Sequence, residues 1–304
     1  MIKLPDDTLG LQTGGILPQS LENPRNHCYI NSILQVIYRI FMHFNEGVHF
    51  NNNRQGCLVK CLVDGIYSDA TDSLSQFKIM LARFDSFFSG HTQQDVSECF
   101  SYLMDILHLG TKQNLLCDTL NSSYSDELSY SLTKRLFLYN LKHITQCIKC
   151  RFITSVFTES HMHIIYPLDN STVMDMLKSS LDVRVSKLCG CCNVNTDHTE
   201  SISFEQPPEI LSLVISRFDS NSTNKNTDSI QINRQLHIAS QNYNLIGSIH
   251  HHGRTIASGH YTANIFYQDS AFLCNDSQVI PLNNFESSNS VYMLFYARNG
   301  ESVG

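Results

Sequence analysis

The 304-residue sequence contains no tryptophan, only 7 prolines and 14 glycines, and 16% charged residues. Collagen-like chains and low-complexity disordered chains need far more proline and glycine, so both classes are excluded. An apolar run of 18 residues is also lacking, because the most apolar region, residues 29–44, is interrupted by Asn31, Gln35 and Arg39. We therefore predict a folded chain with a sizeable core and no membrane-spanning helix.

Basic residues are in deficit. Lysine and arginine total 21 against 28 for aspartate and glutamate, which gives a formal charge of −7 and a pI near 6.0. Proteins that bind nucleic acid usually show the opposite balance, so we predict no nucleic-acid partner. A partner steered by charge should instead be basic where it docks.

The sequence also lacks a readable secretory signal, since Pro5, Asp6 and Asp7 follow the first residues and no apolar segment of signal length occurs there. The 11 cysteines are an odd number at irregular spacing. We therefore expect a reducing intracellular setting, cytoplasmic or nuclear, in which thiols serve metal binding or catalysis.

The first 120 residues are mostly helical in pattern, and the remainder is mostly strand-like. Apolar residues at helical spacing predict helices in four segments: 30–44, 57–66, 74–84 and 96–107. We expect each of the two longest helices to bury one face. From residue 136, short β-branched and aromatic runs predict strands, with one helix at 172–181 and a mobile polar loop at 220–233. This order predicts an α+β fold.

A cysteine stands at the predicted start of the first long helix, in the segment Asn23-Pro-Arg-Asn-His-Cys28. A thiol there experiences the positive end of the helix dipole, which lowers its pKa and favours the nucleophilic thiolate. We expect Asn26 to cap the helix and Asn23 to present an amide donor near Cys28. The alternative is a buried structural cysteine, which is common for a single thiol.

Polar and apolar residues alternate around His260 and predict a strand with His260 on its polar face. A turn near residues 268–270 would fold the next strand back and place Asn275 opposite roughly residue 262, diagonal to His260. A carboxamide there would fix the histidine tautomer and leave the other ring nitrogen free to act on a thiol, as in Cys-His-Asn proteases. The alternative is an ordinary surface hairpin.

Two cysteine pairs have metal-ligand spacing: Cys147-Ile-Lys-Cys150 and Cys189-Gly-Cys191-Cys192. Four thiolates on two such knuckles suit tetrahedral Zn²⁺. We predict one structural Zn²⁺ held by Cys147, Cys150, Cys189 and Cys192, with Cys191 left open as the alternative fourth ligand, and no organic cofactor. Four free thiols in a reducing chain are the other interpretation.

Acidic residues mark the start of the second long helix. Asp95, Glu98 and Asp105, together with Tyr102, lie on the face away from the apolar stripe and form an acidic ribbon suited to a basic peptide. The alternative is that Asp95 completes a capping box with Thr92 and that the other charges are simply solvated.

Taken in order, these segments resemble the ubiquitin-specific proteases, the papain-like deubiquitinases, from about Leu21 to Arg298. The motifs that carry the resemblance are Leu21–Gln35, Gln93-Gln94-Asp95 with Glu98, the paired knuckles, Pro207–Phe218, His251-His-Gly253, Ser258–Thr262 and Cys274–Val279. The resemblance implies a hand-shaped catalytic domain over 18–304 after a leader at 1–17. Its parts would be a helical thumb (about 18–125), zinc-tipped fingers (about 135–205) and a β palm (about 206–304).

The resemblance also implies residue roles. Cys28 would be the nucleophile, His260 the general base and Asn275 its orienting partner, assisted or replaced by Asp276, while Asn23 and the Cys28 N–H would form the oxyanion hole. The family's substrate is the basic, Gly-Gly-ended tail of ubiquitin. Contacts to that tail are implied for Gln94, Asp95, Glu98, His251 and Tyr261. Segments 220–233 and 251–259 correspond to the loops that flank the tail channel.

Some positions depart from the family pattern. Pro24 and Arg25 replace a Leu-Gly pair, His27 replaces a threonine, and Ala271 stands at an aromatic position. We predict a thiol isopeptidase that cleaves after the C-terminal glycine of ubiquitin and acts on ubiquitin or ubiquitinated proteins. The alternatives are a protease for another ubiquitin-like modifier, an inactive ubiquitin-binding module with a distorted oxyanion loop, and a zinc-binding scaffold in which Cys28 is structural.

Overall fold

The computed structural model describes residues 18–23, 26–44, 50–67, 71–89, 93–114, 129–168, 171–219, 224–256, 258–268, 270–283 and 285–299. The predicted leader at 1–17 lies outside these residues. So do Pro24 and Arg25 of the predicted oxyanion loop, Thr92 of the proposed capping box, and the first part of the polar loop at 220–223.

The helices lie mainly in the first half of the chain. In order they are α1 (Cys28–Phe44), α2 (Arg54–Tyr67), α3 (Thr71–Phe84), α4 (Val96–Thr111), α5 (Leu132–Leu136) and α6 (Val173–Leu181). All five predicted helices are present with slightly different ends, and α5 was not predicted. Among the described residues, no helix combines the length and the apolar character needed to cross a bilayer.

The strands follow mainly after residue 138. They are β1 (Gln113–Asn114), β2 (Ser129–Tyr130), β3 (Tyr139–Cys147), β4 (Ile153–Ser160), β5 (His163–Ile165), β6 (Asp182–Leu188), β7 (Asn195–Gln206), β8 (Ile210–Ile215), β9 (Ile230–Gln231), β10 (Gln235–Ile238), β11 (Gln241–Thr255), β12 (Ser258–Phe266), β13 (Ala271–Asn275), β14 (Gln278–Pro281), β15 (Ser287–Ser288) and β16 (Val291–Arg298). The sequence analysis did not predict β3 and β6, because their composition is polar.

The chain divides into two compact units. The first contains the described residues of Met1–Arg135 and Ile246–Asn283, and the second those of Leu136–Leu245 and Asn284–Gly304. In the first unit, strands β11 to β14 form consecutive antiparallel hairpins, and α1 packs on β12 and on α4. Residues of the predicted palm therefore belong to both units, and the division into thumb, fingers and palm stays a prediction.

Helix α1 is buried on nearly every side, whereas the sequence predicted one buried face. Its polar residues Asn31, Ser32 and Gln35 are buried together with its apolar ones. Buried polar groups need hydrogen bonds, and these have them. The Ser32 hydroxyl donates to the Tyr29 carbonyl at 2.9 Å, and the Gln35 amide donates to the Gln19 carbonyl. The prediction failed because these three residues make specific hydrogen bonds inside the core.

Two larger sheets and the two-stranded pair of β9 with β15 contribute strands to the second unit. Strands β4, β3, β7 and β6 lie in that order in an antiparallel sheet that carries the cysteine knuckles. In the other sheet, β8 pairs with β16 antiparallel and with β5 parallel. Strand β8 is buried along its whole length, as expected for a strand covered on both faces.

A buried arginine fixes the loops beside β8. Arg217 is 1% exposed, and its guanidinium donates to the carbonyls of Val291, Asn226, Asp228 and Ser288 at 2.6 to 3.2 Å. The described end of the predicted mobile loop is therefore anchored, and it also forms β9, which pairs with β15. One guanidinium can bind several carbonyls, so hydrogen bonds to Arg217 hold this part of the predicted loop.

Candidate active site

Cys28 is the first residue of α1, and its side chain is only 3% exposed. Burial raises the pKa of the thiol, and the charge of Asp276 adds to this effect, while the backbone N–H groups of Tyr261, Tyr29 and Cys28 lower it. Burial outweighs these donors, so the predicted net lowering of the pKa was wrong. The helix terminus acts with the expected sign, but the buried thiol stays protonated near neutral pH and needs a base.

The residue that caps α1 is not the predicted one. Asn26 has a φ of 57° in the left-handed region, and the His27 carbonyl accepts the Asn31 N–H at 2.8 Å, so His27 holds the N-cap position. The His27 N–H donates to Oδ1 of Asn23 at 2.6 Å. Asn23 therefore ties the segment before the helix to its first turn.

His260 and Asn275 meet as the strand register predicted. Ala263 pairs with Cys274, which places Asn275 one step further along and diagonal to His260. The His260 Nε2–H donates to Oδ1 of Asn275 at 2.6 Å, because a carboxamide oxygen can only accept. This hydrogen bond leaves a lone pair on Nδ1 of His260. The imidazole is thus held in the tautomer that can take a proton.

Asp276 lies between His260 and Asn23. It has a φ of 50° in the turn between β13 and β14, a conformation that aspartate tolerates. Its Oδ2 is 3.9 Å from Nε2 of His260 and accepts a hydrogen bond from Nδ2 of Asn23 at 2.9 Å. Since Nδ2 of Asn23 carries two hydrogens, this bond uses one and leaves the second for another acceptor.

Glycine is required immediately before His260. Gly259 has a φ of 151°, and a Cβ atom there would lie 2.5 Å from the His252 carbonyl oxygen. Any larger residue would push the two strands apart where their register shifts, between His252 and Thr255. The glycine of the Ser-Gly-His segment therefore lets β11 and β12 approach closely beside the imidazole.

The acidic residues of α4 differ in accessibility. Asp95 is the N-cap of α4, and its Oδ1 accepts from the Ser97 N–H at 2.7 Å and the Ser97 hydroxyl at 2.9 Å. Asp95 thus caps the helix itself, in place of the predicted box with Thr92. Gln94 and Asp95 are half-buried and Glu98 is exposed. Of the acidic residues in the predicted ribbon, Glu98 and Asp105 are exposed and Asp95 is half-buried.

His251 and Tyr261, the other residues predicted to bind substrate, are buried. They are 0% and 1% exposed, and their rings lie 4.8 Å apart. Gln93, a member of the Gln93-Gln94-Asp95 motif for which no substrate contact was predicted, donates to Nε2 of His251 at 3.2 Å and to the Ile256 carbonyl at 3.4 Å. These side chains support the β11–β12 hairpin, and Tyr261 reaches Cys28 through its backbone N–H.

Asn31 is a further residue of the site that sequence reasoning missed. Its Nδ2 donates to Oδ1 of Asp276 at 2.7 Å. The available signal was its spacing, because residues three apart lie on the same side of a helix and Asn31 follows Cys28 by three.

The second unit brings four cysteines together. The Sγ atoms of Cys147, Cys150, Cys189 and Cys192 all lie within 4.8 Å of one another, whereas Cys191 is exposed and outside this group. Sγ of Cys150 and Sγ of Cys189 are 3.6 Å apart. A tetrahedral Zn²⁺ with bonds of about 2.3 Å requires sulfur atoms about 3.8 Å apart, so the cluster fits such an ion.

The two knuckles have the same backbone geometry. In each, an N–H four residues on bonds the carbonyl of the first cysteine: Arg151 to Cys147 at 3.0 Å and Asn193 to Cys189 at 2.9 Å. Arg151 and Asn193 both adopt left-handed φ angles. Backbone N–H groups of Cys192 and Cys191 lower the pKa of the Cys189 thiol, which favours the thiolate that a metal binds.

Comparison with known sequences gives a consistent family match. The profile of the ubiquitin carboxyl-terminal hydrolases matches residues 19–296. Ubiquitin carboxyl-terminal hydrolase 2 of Gallus gallus is 28% identical over 271 residues, which is 75% of this chain and 75% of that protein. The Homo sapiens protein of the same name is 26% identical and the probable ubiquitin carboxyl-terminal hydrolase 8 of Schizosaccharomyces pombe 23%. Each match covers 91% of this chain but only 54% and 64% of those proteins.

Solved structures share the fold. The SAGA Ubp8/Sgf11/Sus1/Sgf73 DUB module bound to ubiquitin aldehyde contains a chain with a TM-score of 0.72 and 19% identity, covering 92% of this chain and 69% of its own. The same module bound to monoubiquitin gives a TM-score of 0.72 and 19% identity, covering 95% and 72%. The predicted α+β papain-like fold is confirmed.

Proposed function

The chain belongs to the ubiquitin carboxyl-terminal hydrolase family, and we propose that it is a thiol-dependent deubiquitinase that hydrolyses the bond after the C-terminal glycine of ubiquitin. The observation that carries the proposal is the pairing of His260 with Asn275 on strands that adjoin Cys28. Strand β12, which carries His260, packs on α1, which begins at Cys28, and the backbone N–H of Tyr261 lowers the pKa of the Cys28 thiol.

The reaction begins with transfer of the Cys28 proton to Nδ1 of His260. The sulfur attacks the carbonyl carbon of the terminal glycine and forms a tetrahedral oxyanion, which accepts hydrogen bonds from the Cys28 N–H and the second amide hydrogen of Asn23. His260 then donates its proton to the leaving amine as the carbon–nitrogen bond breaks and a thioester forms. Water, deprotonated by His260, hydrolyses the thioester and releases the Cys28 thiol.

The substrate tail is basic, and the proposed docking residues are acidic or polar. Glu98 is exposed and offers a carboxylate to an arginine of the tail, with Asp95 and Gln94 beside it in the sequence. His251 and Tyr261 contribute by supporting the hairpin that carries His260.

We also propose that Cys147, Cys150, Cys189 and Cys192 hold one structural Zn²⁺. The donor set is made only of thiols, leaves no open position for water, and belongs to a different unit from Cys28. The ion would therefore stabilise the fold of the knuckles and take no part in the hydrolysis.

We expect a ubiquitin probe with a C-terminal electrophile to label the purified protein at Cys28, and expect no labelling of the Cys28→Ser variant. The reason is that the probe reacts with a thiol aligned at the tail's end. Intact-mass spectrometry after incubation measures the adduct. Cys57→Ser is the matched control, because Cys57 is an exposed thiol on α2 and its loss should change nothing.

Equivalent probes built on other ubiquitin-like modifiers separate the alternatives. Preferential labelling by one of those probes would keep the mechanism and replace the substrate. Binding of ubiquitin without any adduct would contradict the proposed activity and favour a binding module.

Replacement of Asn275 tests its orienting role. We expect Asn275→Ala to lower kcat/KM for a ubiquitin substrate by about 10²-fold, because the imidazole loses the acceptor that fixes its tautomer. Asn275→Asp keeps an acceptor and should recover most of the activity. Its carboxylate stabilises the protonated imidazole, so the acid limb of the pH–rate profile should move to higher pH. Full activity of Asn275→Ala at all pH values would rule out this role.

A further inference from the structure

A buried lysine lies close to the catalytic groups and has no place in the reaction described above. Lys78 of α3 is 7% exposed, and burial lowers the pKa of its amine. Its Nζ donates to Oδ1 of Asn31 at 2.9 Å and to the Glu22 carbonyl at 2.9 Å. Burying an amine costs free energy, and both of these acceptors are uncharged.

The lysine sets the direction of a chain of hydrogen bonds. A protonated lysine ammonium can only donate, so it must face the oxygen of the Asn31 carboxamide. This turns the Asn31 Nδ2 toward Asp276, to which it donates at 2.7 Å. The other carboxylate oxygen of Asp276 accepts from Nδ2 of Asn23 at 2.9 Å. The orientation of the Asn31 amide thus follows from the lysine donor, while the Asn23 amide is also oriented by the His27 N–H, which donates to its Oδ1 at 2.6 Å.

The same amine also holds the backbone that carries Asn23. Its second acceptor, the Glu22 carbonyl, belongs to the residue immediately before Asn23. Nδ2 of Asn31 lies 3.3 Å from the carbonyls of Leu21 and Glu22, and the Leu21 N–H donates to the Asp276 carbonyl at 3.0 Å. Side chain and backbone of the Asn23 segment are both fixed by this cluster.

We propose that Lys78 is a positioning residue for the hydrolysis, acting through Asn31 and the Glu22 carbonyl to orient Asp276 and Asn23 beside Cys28. The inference rests on the proposed function, because it concerns the groups that stabilise the oxyanion. The lysine itself does not reach the reacting atoms. The lysine cation and the Asp276 carboxylate also attract each other.

The test compares Lys78→Met with wild type on ubiquitin carrying a C-terminal fluorogenic amine. Methionine keeps the apolar stem and removes the donor. We expect kcat per titrated active site to fall about 10- to 100-fold, as for misplaced oxyanion donors. KM should stay within about twofold, because Glu98 and its neighbours are untouched. Titration with the electrophilic ubiquitin probe counts the folded, reactive sites, so a loss of fold alone would not lower this kcat.

Leu81→Val is the matched control, since Leu81 lies on the same helix and is 0% exposed. It should lower the thermal midpoint without changing kcat per site. Asn31→Leu removes the next member of the hydrogen-bond series and should lower kcat per site by the same factor as Lys78→Met. The double variant should be no worse than the poorer single variant, because both changes interrupt one path.

Either Lys78→Met or Asn31→Leu with wild-type kcat per site would overturn the inference. If Lys78→Met does not fold, the kcat per titrated site of Asn31→Leu alone decides whether the inference stands. Inactivity of the wild-type protein itself would instead contradict the proposed function, so the two failures are distinguishable.

Discussion

We expect His260→Ala to lower kcat/KM for a ubiquitin substrate by at least about 10³-fold, since removal of a general base that activates a nucleophile has effects of this size. The physical reason lies in Cys28. Burial raises its pKa above the ordinary value of 9.0, so less than about 1% of the thiol is ionised at pH 7 without a base. Steady-state hydrolysis of a fluorogenic ubiquitin derivative measures the loss.

The residual activity of His260→Ala should rise with pH. Because the folded thiol has a raised pKa, its thiolate fraction keeps growing as the pH rises from 7 to 9, and the remaining rate should follow. His237→Ala is the control, since His237 is an exposed histidine of β10 hydrogen-bonded to Asn242. Wild-type activity in His260→Ala, or a residual rate independent of pH, would contradict the assignment.

The second large effect is expected from the cysteine cluster. We expect Cys192→Ser to lower the zinc content from about one ion per chain to near zero and to lower the thermal midpoint strongly, because structural zinc contributes on the order of 10 kcal/mol to folding in small zinc domains. Elemental analysis and thermal melting measure the two changes. A strong chelator added to the wild-type protein should lower the midpoint similarly.

Cys191→Ser provides a control one residue away. Cys191 is exposed and lies outside the cluster, so this variant should keep its zinc and its thermal midpoint. Loss of zinc in Cys191→Ser and retention in Cys192→Ser would reverse the assignment. Absence of zinc from the wild-type protein after expression in zinc-supplemented medium would refute the metal site.

Much of the site could be predicted because its signals are local. The hydrogen bond between His260 and Asn275 follows from strand alternation and hairpin register, which depend on neighbours in the sequence. The cysteine cluster follows from spacing within two short turns. The start of α1 at Cys28 follows from the apolar periodicity of the helix.

The remaining features depend on groups far apart in the sequence. The pKa of Cys28 is raised because other segments bury it, and periodicity around the cysteine contains no such information. Asn31 looked like an interruption of an apolar run, yet it is buried against Asp276, 245 positions away. Strand β6 is polar because it is largely exposed, and β3 alternates buried residues with polar ones, so apolar runs could not reveal either strand.

The pairing of α1 with β12 has a consequence for synthesis of the chain. All four strands of the cysteine sheet come from Tyr139–Gln206, with β5 and α6 inserted between β4 and β6, so the sheet can close while translation continues. Helix α1 must wait for β12, more than 200 residues later, before its inner face is covered. Any nascent or truncated chain that stops before His260 therefore carries a reactive-site thiol without its base, and incomplete products should be catalytically silent.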